Sequence, residues 1–341
     1  MCRKPKNSFI LVFVLSFVLL LAGCGGQDAK KSAGTKESPA DKFPAKPITI
    51  ITHTNAGSPT DVMVRQLGKA AEPILGQPVV VENKPGGSGA TQVAALVAAP
   101  PDGYTLAACT PTQIGSWQSN LKGKFKIDDF AWINRVQIDP YIIVVRADSP
   151  WKTLKELVEY AKQNPNKLRV GGYGTVGSGH NVAFNILART AGIKAAWTPF
   201  EGTNDAVTSL LGGHIDVANS NPGQVTQYVQ AGKLRILGVM AEKRLPDLPD
   251  VPTYAEAGYP VDTSWMQFRG IFGRREIPEP VQNKLSDAFL QAMKSPQFIE
   301  YMKSTQQIDG SMGLKEFTAF IQKQDKLTEQ WYKELGVTKQ Q

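Results

Sequence analysis

Two stretches of this chain gather small polar residues where a strand gives way to a helix. The first is "HTNAGSPTD", with His53, Thr54, Asn55, Ala56, Gly57, Ser58, Thr60 and Asp61 following the strand-prone "ITIIT". A helix start leaves backbone N–H groups unpaired and bears partial positive charge, so it can hold a carboxylate or another anion. Small residues let such a ligand approach the backbone closely. Thr60 or Asp61 is the expected helix cap. On this stretch alone, an ordinary strand-to-helix turn explains the residues equally well. The second stretch, "GGYGTVGSGH", repeats the arrangement in the other half of the chain, with Gly174, Thr175, Val176, Gly177, Ser178 and His180. Facing each other, Thr54 to Thr60 and Thr175 to Ser178 would grip one small anion from two sides, mostly by backbone N–H and small hydroxyls. Two incidental turns remain the other explanation.

Other chemistries find less support. Neither "GGSGA" nor "TVGSGH" fits G-x-S-x-G, because Ala90 holds the last glycine position and Val176 the first. No phosphate-loop Gly-Lys-Ser/Thr occurs. Ser178 beside His180 is expected to cap a helix rather than to attack a substrate. No cofactor is expected. His53, His180 and His214 lie far apart in sequence, which argues against a metal site, and Cys109 in "YTLAAC" has no disulfide partner.

The elements that must position these residues alternate strand and helix. After "ITIIT", Met63, Leu67, Ala70, Ala71 and Ile74 recur at helical spacing up to Gly76. "PVVVEN", "SGATQVAALVAA" and "YTLAAC" continue the pattern. Ser149-Pro150 is the predicted start of a helix carrying Leu154, Leu157, Val158 and Ala161. "LRVGGYG", "AAWTPF", "IDVAN" and "LRILGVM" are strands between helices, "TSWMQFRGIFG" is one strand, and the end is helical. This predicts α/β layers with mainly parallel sheets. The candidate crossovers "YIIVV" and "LRILGV" divide the chain into a discontinuous first domain, 43–141 and 240–341, and a second, 142–239.

The first residues give an address. Arg3, Lys4 and Lys6 precede an apolar run from Phe9 to Leu21, and "LAGC" follows. Residues 1–23 are the pattern of a lipoprotein signal, with Cys24 as the lipidated residue and 24–42 as a flexible tether. A plain signal peptide with an incidental Cys is the other reading. The formal charge of +8 loses three cations with the signal, leaving +5 (8 − 3). With no basic cluster among aromatics, nucleic acid is not an expected partner.

The blocks "AGSPTD", "LGQPVVVENKPGGSGATQVAALVAAPPDGYTL", "GTVGSGH", "LLGGHIDVANSNPGQVTQYVQAGKLRILGV" and "KRLPDLPDVPTYAEAGYP" resemble the extracytoplasmic solute receptors of tripartite tricarboxylate transporters, the Bug proteins. The resemblance runs from about Phe43 to the C-terminus. It implies a type II periplasmic-binding-protein fold, two α/β domains joined by crossover strands over a ligand cleft. It also implies a small carboxylate ligand, a membrane permease as partner, a monomeric receptor and no enzymatic activity. The alternatives are a ligand-sensing co-receptor for a two-component system and, less favoured, a periplasmic hydrolase. By position, the ligand-lining turns fall on Thr110, Thr112 and Gln113, on Phe200 with Glu201 and Gly202, and on Asn219, Ser220 and Asn221. Where the family often reads "PFPAGGSTD" this chain has "HTNAGSPTD", a more polar corner. Glu201 stands where a cation is common, and a solvated, outward orientation is expected of it. Trp265 and Phe268 are expected in the core or in the cleft wall.

Overall fold

The computed structural model describes residues 42–119 and 121–337. The predicted signal, Cys24 and almost all of the tether lie outside the described residues. No helix among the described residues is long and apolar enough to cross a membrane.

The first lobe opens with β1 (Ile48–Thr52), α1 (Pro59–Leu75) and β2 (Val79–Asn83). After a 3-10 turn at Gly87–Gly89 come α2 (Ala90–Ala98), β3 (Thr105–Cys109), α3 (Pro111–Gln118) and β4 (Phe130–Asp139). Pro140 alone then separates β4 from β5 (Tyr141–Arg146), which belongs to the other sheet. The second lobe continues with α4 (Leu154–Gln163), β6 (Arg169–Tyr173), α5 (Gly179–Ala191), β7 (Ala196–Phe200), α6 (Thr203–Leu211), β8 (Val217–Ser220), α7 (Pro222–Gln230) and β9 (Leu234–Met240). The chain returns through 241–266 to β10 (Gln267–Arg274), α8 (Glu279–Met293), α9 (Pro296–Ser304), β11 (Ile308–Met312) and α10 (Leu314–Leu335). The six-stranded sheet runs β11-β4-β10-β3-β1-β2 and the five-stranded sheet β7-β6-β8-β5-β9. Two mixed α/β lobes of this kind form a periplasmic-binding-protein fold.

The sheets are mixed rather than mainly parallel. β1 with β2 and β3, and β6 with β7 and β8, run parallel. β4, β5, β9 and β10 pair antiparallel with their neighbours. These four strands flank the crossovers, so a chain arriving from the opposite lobe reverses direction relative to strands built by helix returns.

Both helix faces read from periodicity are buried. α1 buries Met63, Leu67, Ala70 and Ala71 and ends at Gly76 in the left-handed region. α4 buries Leu154, Leu157, Val158 and Ala161. Two starts differ from expectation. α1 begins at Pro59 with Ser58 in the cap position, because proline fits a first turn that needs no N–H. α4 is capped by Thr153, which accepts the Glu156 N–H at 3.2 Å, while Ser149 forms a separate turn upstream.

Alternate residues of β3 feed opposite faces of the first sheet: Leu106 and Ala108 one cluster, Ala107 and Cys109 the other. α10 spans the lobes. Phe317 and Ile321 pack in the first lobe, Trp331 and Tyr332 in the second. Burying such side chains stabilises by roughly 1.5–3 kcal/mol each, so one helix ties both cores together.

Candidate functional site

The two predicted corners sit at the carboxyl ends of β1 and β6, one in each sheet, the usual ligand edge of an open α/β sheet. They meet. Asn55 Nδ2 donates to Asp205 Oδ2 (2.7 Å), and Ser58 Oγ donates to Asn204 Oδ1 (2.5 Å). Asn204 Nδ2 donates to Ala56 O, and Asn55 N to Glu201 O. On the other side, Ser88 Oγ accepts the Thr175 N–H (3.1 Å) and shares a hydrogen bond with Thr175 Oγ1 (2.9 Å). Gly179 N donates to Thr112 Oγ1 (3.1 Å), and the Tyr173 hydroxyl to His53 O (3.3 Å).

Inside this ring lies a cavity of about 10 Å³, lined by His53, Thr54, Pro59, Thr60, Thr110, Tyr173, His180, Thr203, Gln267 and Arg269. Four helix starts reach it: Pro59 and Thr60 of α1, the cap Thr110 of α3, His180 of α5 and Thr203 of α6. Both imidazoles are held far below their usual pKa, to about 3, by burial first and then by the Arg269 charge.

The other candidate residues divide by place. Asn55, Ala56, Ser58, Thr112 and Thr175 join the lobes, as described. Gly57 and Gly177 shape their loops in the left-handed region, at φ +77° and +88°. Gly174 has no side chain between Ser178 and Ser88, where a Cβ would meet Ser178 Cβ at 2.6 Å. Asp61 points into its own loop: its carboxylate accepts from the Gly57 N–H, Arg65 and Asn83. Burial opposes that charge, yet these partners hold its pKa below the usual carboxylate value. Gln113 closes the α3 capping box through the Thr110 N–H and donates to Gln92. Asn219 accepts from His180, and Ser220 is buried behind it. Asn221 Oδ1 accepts from Arg269. Val176 is exposed, Glu201 is exposed, and the Phe200 ring packs beside Gly171 in the second lobe. Trp265 and Phe268 are core, Trp265 donating its indole N–H to Gly179 O.

Sequence reading missed Ser88, Tyr173, Thr203, Gln267 and Arg269. One signal was present: Arg269 interrupts the apolar "FRGIFG", and a charge in a strand that both faces bury needs a reason.

The profile of the tripartite tricarboxylate transporter family receptor matches residues 63–337. The chain belongs to that family. A UPF0065 protein from the gbd 5′ region of Cupriavidus necator is 34% identical over 89% of this chain and 92% of its own. The solved periplasmic binding protein BugD is 28% identical, with a TM-score of 0.82 over 87% of this chain and 99% of BugD. MatC of Rhodopseudomonas palustris, solved with bound malate, is 25% identical, with a TM-score of 0.78 over 85% of this chain and 99% of MatC.

This is a family of receptors, not of enzymes, and the site has a receptor's geometry. Ser178 Oγ donates to Tyr173 O (2.7 Å) and accepts the Asn181 N–H (3.3 Å), the work of a helix cap. His180 turns its Nδ1 to Asn219 rather than to Ser178. Among the described residues no group of three or more His, Cys, Asp or Glu is placed to hold a metal.

Proposed function

We propose that this receptor works outside the cytoplasm, captures a small carboxylate between its lobes and delivers it to a tripartite-tricarboxylate-type membrane permease. The observation that carries the reading is the convergence of four helix N-termini on one buried cavity. Each start contributes roughly half a positive charge, so their sum favours an anion and penalises a cation. Malate in the related MatC supports the carboxylate class.

The test is a thermal-shift screen against organic acids. An acid at a hundred times its dissociation constant adds about 2.7 kcal/mol of stability and raises the melting temperature accordingly. If sugars or amines without a carboxylate stabilise instead, and organic acids do not, the carboxylate assignment fails.

The reading includes a lipid anchor at Cys24 and a chain divided into 43–141 with 240–341 and 142–239. A Cys24→Ser protein should be released or remain an unprocessed precursor; a processed, lipid-labelled Cys24→Ser product would refute the anchor. Ligand should slow amide hydrogen exchange at both crossovers, read at Asp139 and Tyr141 beside Pro140 and at Met240, if they hinge the lobes. Unchanged exchange there, with a bound acid, argues against these boundaries.

A further inference from the structure

Among the described residues Arg269 is the only Lys or Arg lining the cavity, and it is 2% exposed. It arrives on β10, from neither glycine-rich corner. One terminal nitrogen donates to Thr60 Oγ1 (2.5 Å) and the other to Asn221 Oδ1 (3.2 Å). The second nitrogen also pairs with the Asp139 carboxylate, fully buried at the end of β4 beside the Pro140 crossover. The Nε–H has no acceptor among the described residues. The hydroxyls of Thr54 and Thr203, which line the same cavity, have no partner either.

A guanidinium carries five donors, and a charged donor left unpaired in a buried site keeps its full desolvation penalty. Three unpaired donors around one cavity are what a carboxylate would satisfy. We propose that Arg269, charge-balanced by Asp139 while no ligand is bound, is the ionic anchor for one carboxylate of the ligand. The proposal rests on the receptor reading above. Asp139 already balances the Arg269 charge, and both imidazoles stay neutral at physiological pH. Among the described residues no second Lys or Arg lines the chamber, so only one carboxylate can pair with a guanidinium there.

The competing account is a structural ion pair that merely joins β4 to β10. The two accounts differ in what Asp139 does to binding. If the pair is an anchor and its counter-ion, Asp139 competes with the ligand for the guanidinium. If it is structural, losing either partner harms fold and binding together.

The experiment titrates lactate, malate, adipate and benzoate by calorimetry into wild type, Asp139→Asn, Arg269→Lys and the neutral pair Arg269→Gln/Asp139→Asn. Folding is checked by circular dichroism. For the tightest acid, the neutral pair should stay folded and lose about 100-fold in affinity. Arg269→Lys should lose less, because it keeps the charge without the planar fork. Asp139→Asn should melt lower without acid yet bind as tightly as wild type or more tightly. A folded neutral pair binding within about threefold of wild type overturns the anchor and leaves the carboxylate receptor standing. So does Asp139→Asn losing affinity with the acid in parallel with stability, which decides the matter even if the neutral pair does not fold. If wild type binds none of the four acids, the receptor reading falls and the anchor with it.

Discussion

Each imidazole facing the cavity has its tautomer fixed by oxygen neighbours. His53 Nδ1 lies 3.3 Å from the Ala108 carbonyl, which can only accept, so Nδ1 carries the proton, and Nε2 lies 3.3 Å from the Thr110 hydroxyl. His180 Nδ1 faces both the backbone and side-chain oxygens of Asn219 and is protonated likewise. With folded values near 3 and an ordinary value of 6.5, the unfolded chain binds more protons between those limits. Stability from these two groups is therefore complete above pH 6.5 and is lost as pH falls, about 1.4 kcal/mol per pH unit for each. Asp139, whose carboxyl burial pushes up against the pull of Arg269, acts in the opposite sense at the acid end. Comparing wild type with His53→Asn/His180→Asn cancels that contribution. The variant should lose much less stability to acid from pH 6.5 to about 5 in urea titrations; equal losses would mean the imidazoles charge in the fold. Ser58→Ala, which removes the hydroxyl donating to Asn204, should weaken ligand affinity by about 1 kcal/mol, measured by calorimetry.

At the scale of elements, the sequence showed what repetition can show. The apolar stripes of α1 and α4 follow from a 3.6-residue period, and the two polar corners stand out by composition. β4 escaped because Asn134, Arg135, Gln137 and Asp139 break its apolar pattern. Each of these polar residues has a partner distant in sequence or across the sheet, such as Ser286 for Asn134 and Gly310 O for Arg135. Arg269 escaped for the same reason: its meaning lies in Asp139 and Thr60, which only the fold brings near. The reach of α10 was equally illegible. Its Tyr332 hydroxyl donates to Gly177 O, so the second corner is braced by the C-terminal helix. Gly57 and Gly177 separate strain from crowding. An added Cβ at Gly57 meets nothing within 4 Å, whereas at Gly177 it meets Tyr332 Oη and Val337 Cγ1, each at 3.1 Å. Gly57→Ala should cost about 1 kcal/mol of stability through its positive φ alone. Gly177→Ala should cost distinctly more and also weaken ligand binding. Equal losses in urea denaturation would mean that α10 does not brace the corner.

For the whole molecule, the decisive quantity is the space between the lobes. A chamber of about 10 Å³ has room for roughly one water, and any organic acid needs several times more. Capture therefore requires the lobes to part, breaking the links from Asn55 to Asp205, Ser58 to Asn204, Ser88 to Thr175 and Thr112 to Gly179. At about 1 kcal/mol for each neutral link and somewhat more for the link to the Asp205 carboxylate, closure is held by a few kcal/mol, small enough for an open form to be visited and for a ligand to shift the balance. The two hydroxyl oxygens of Ser88 and Thr175, 2.9 Å apart across the interface, offer a way to lock it. In Ser88→Cys/Thr175→Cys, oxidation should join the lobes, and Cys109, fully buried on β3, should not interfere. The oxidised protein should melt higher and fail to bind the acid that stabilises wild type, and reduction should restore binding to within a few-fold. Oxidation of wild type controls for damage, and mass spectrometry confirms the bridge. If the bridged protein binds as fast and as tightly as the reduced one, the ligand reaches its site without the lobes separating, and the chamber at the helix starts is not where it rests.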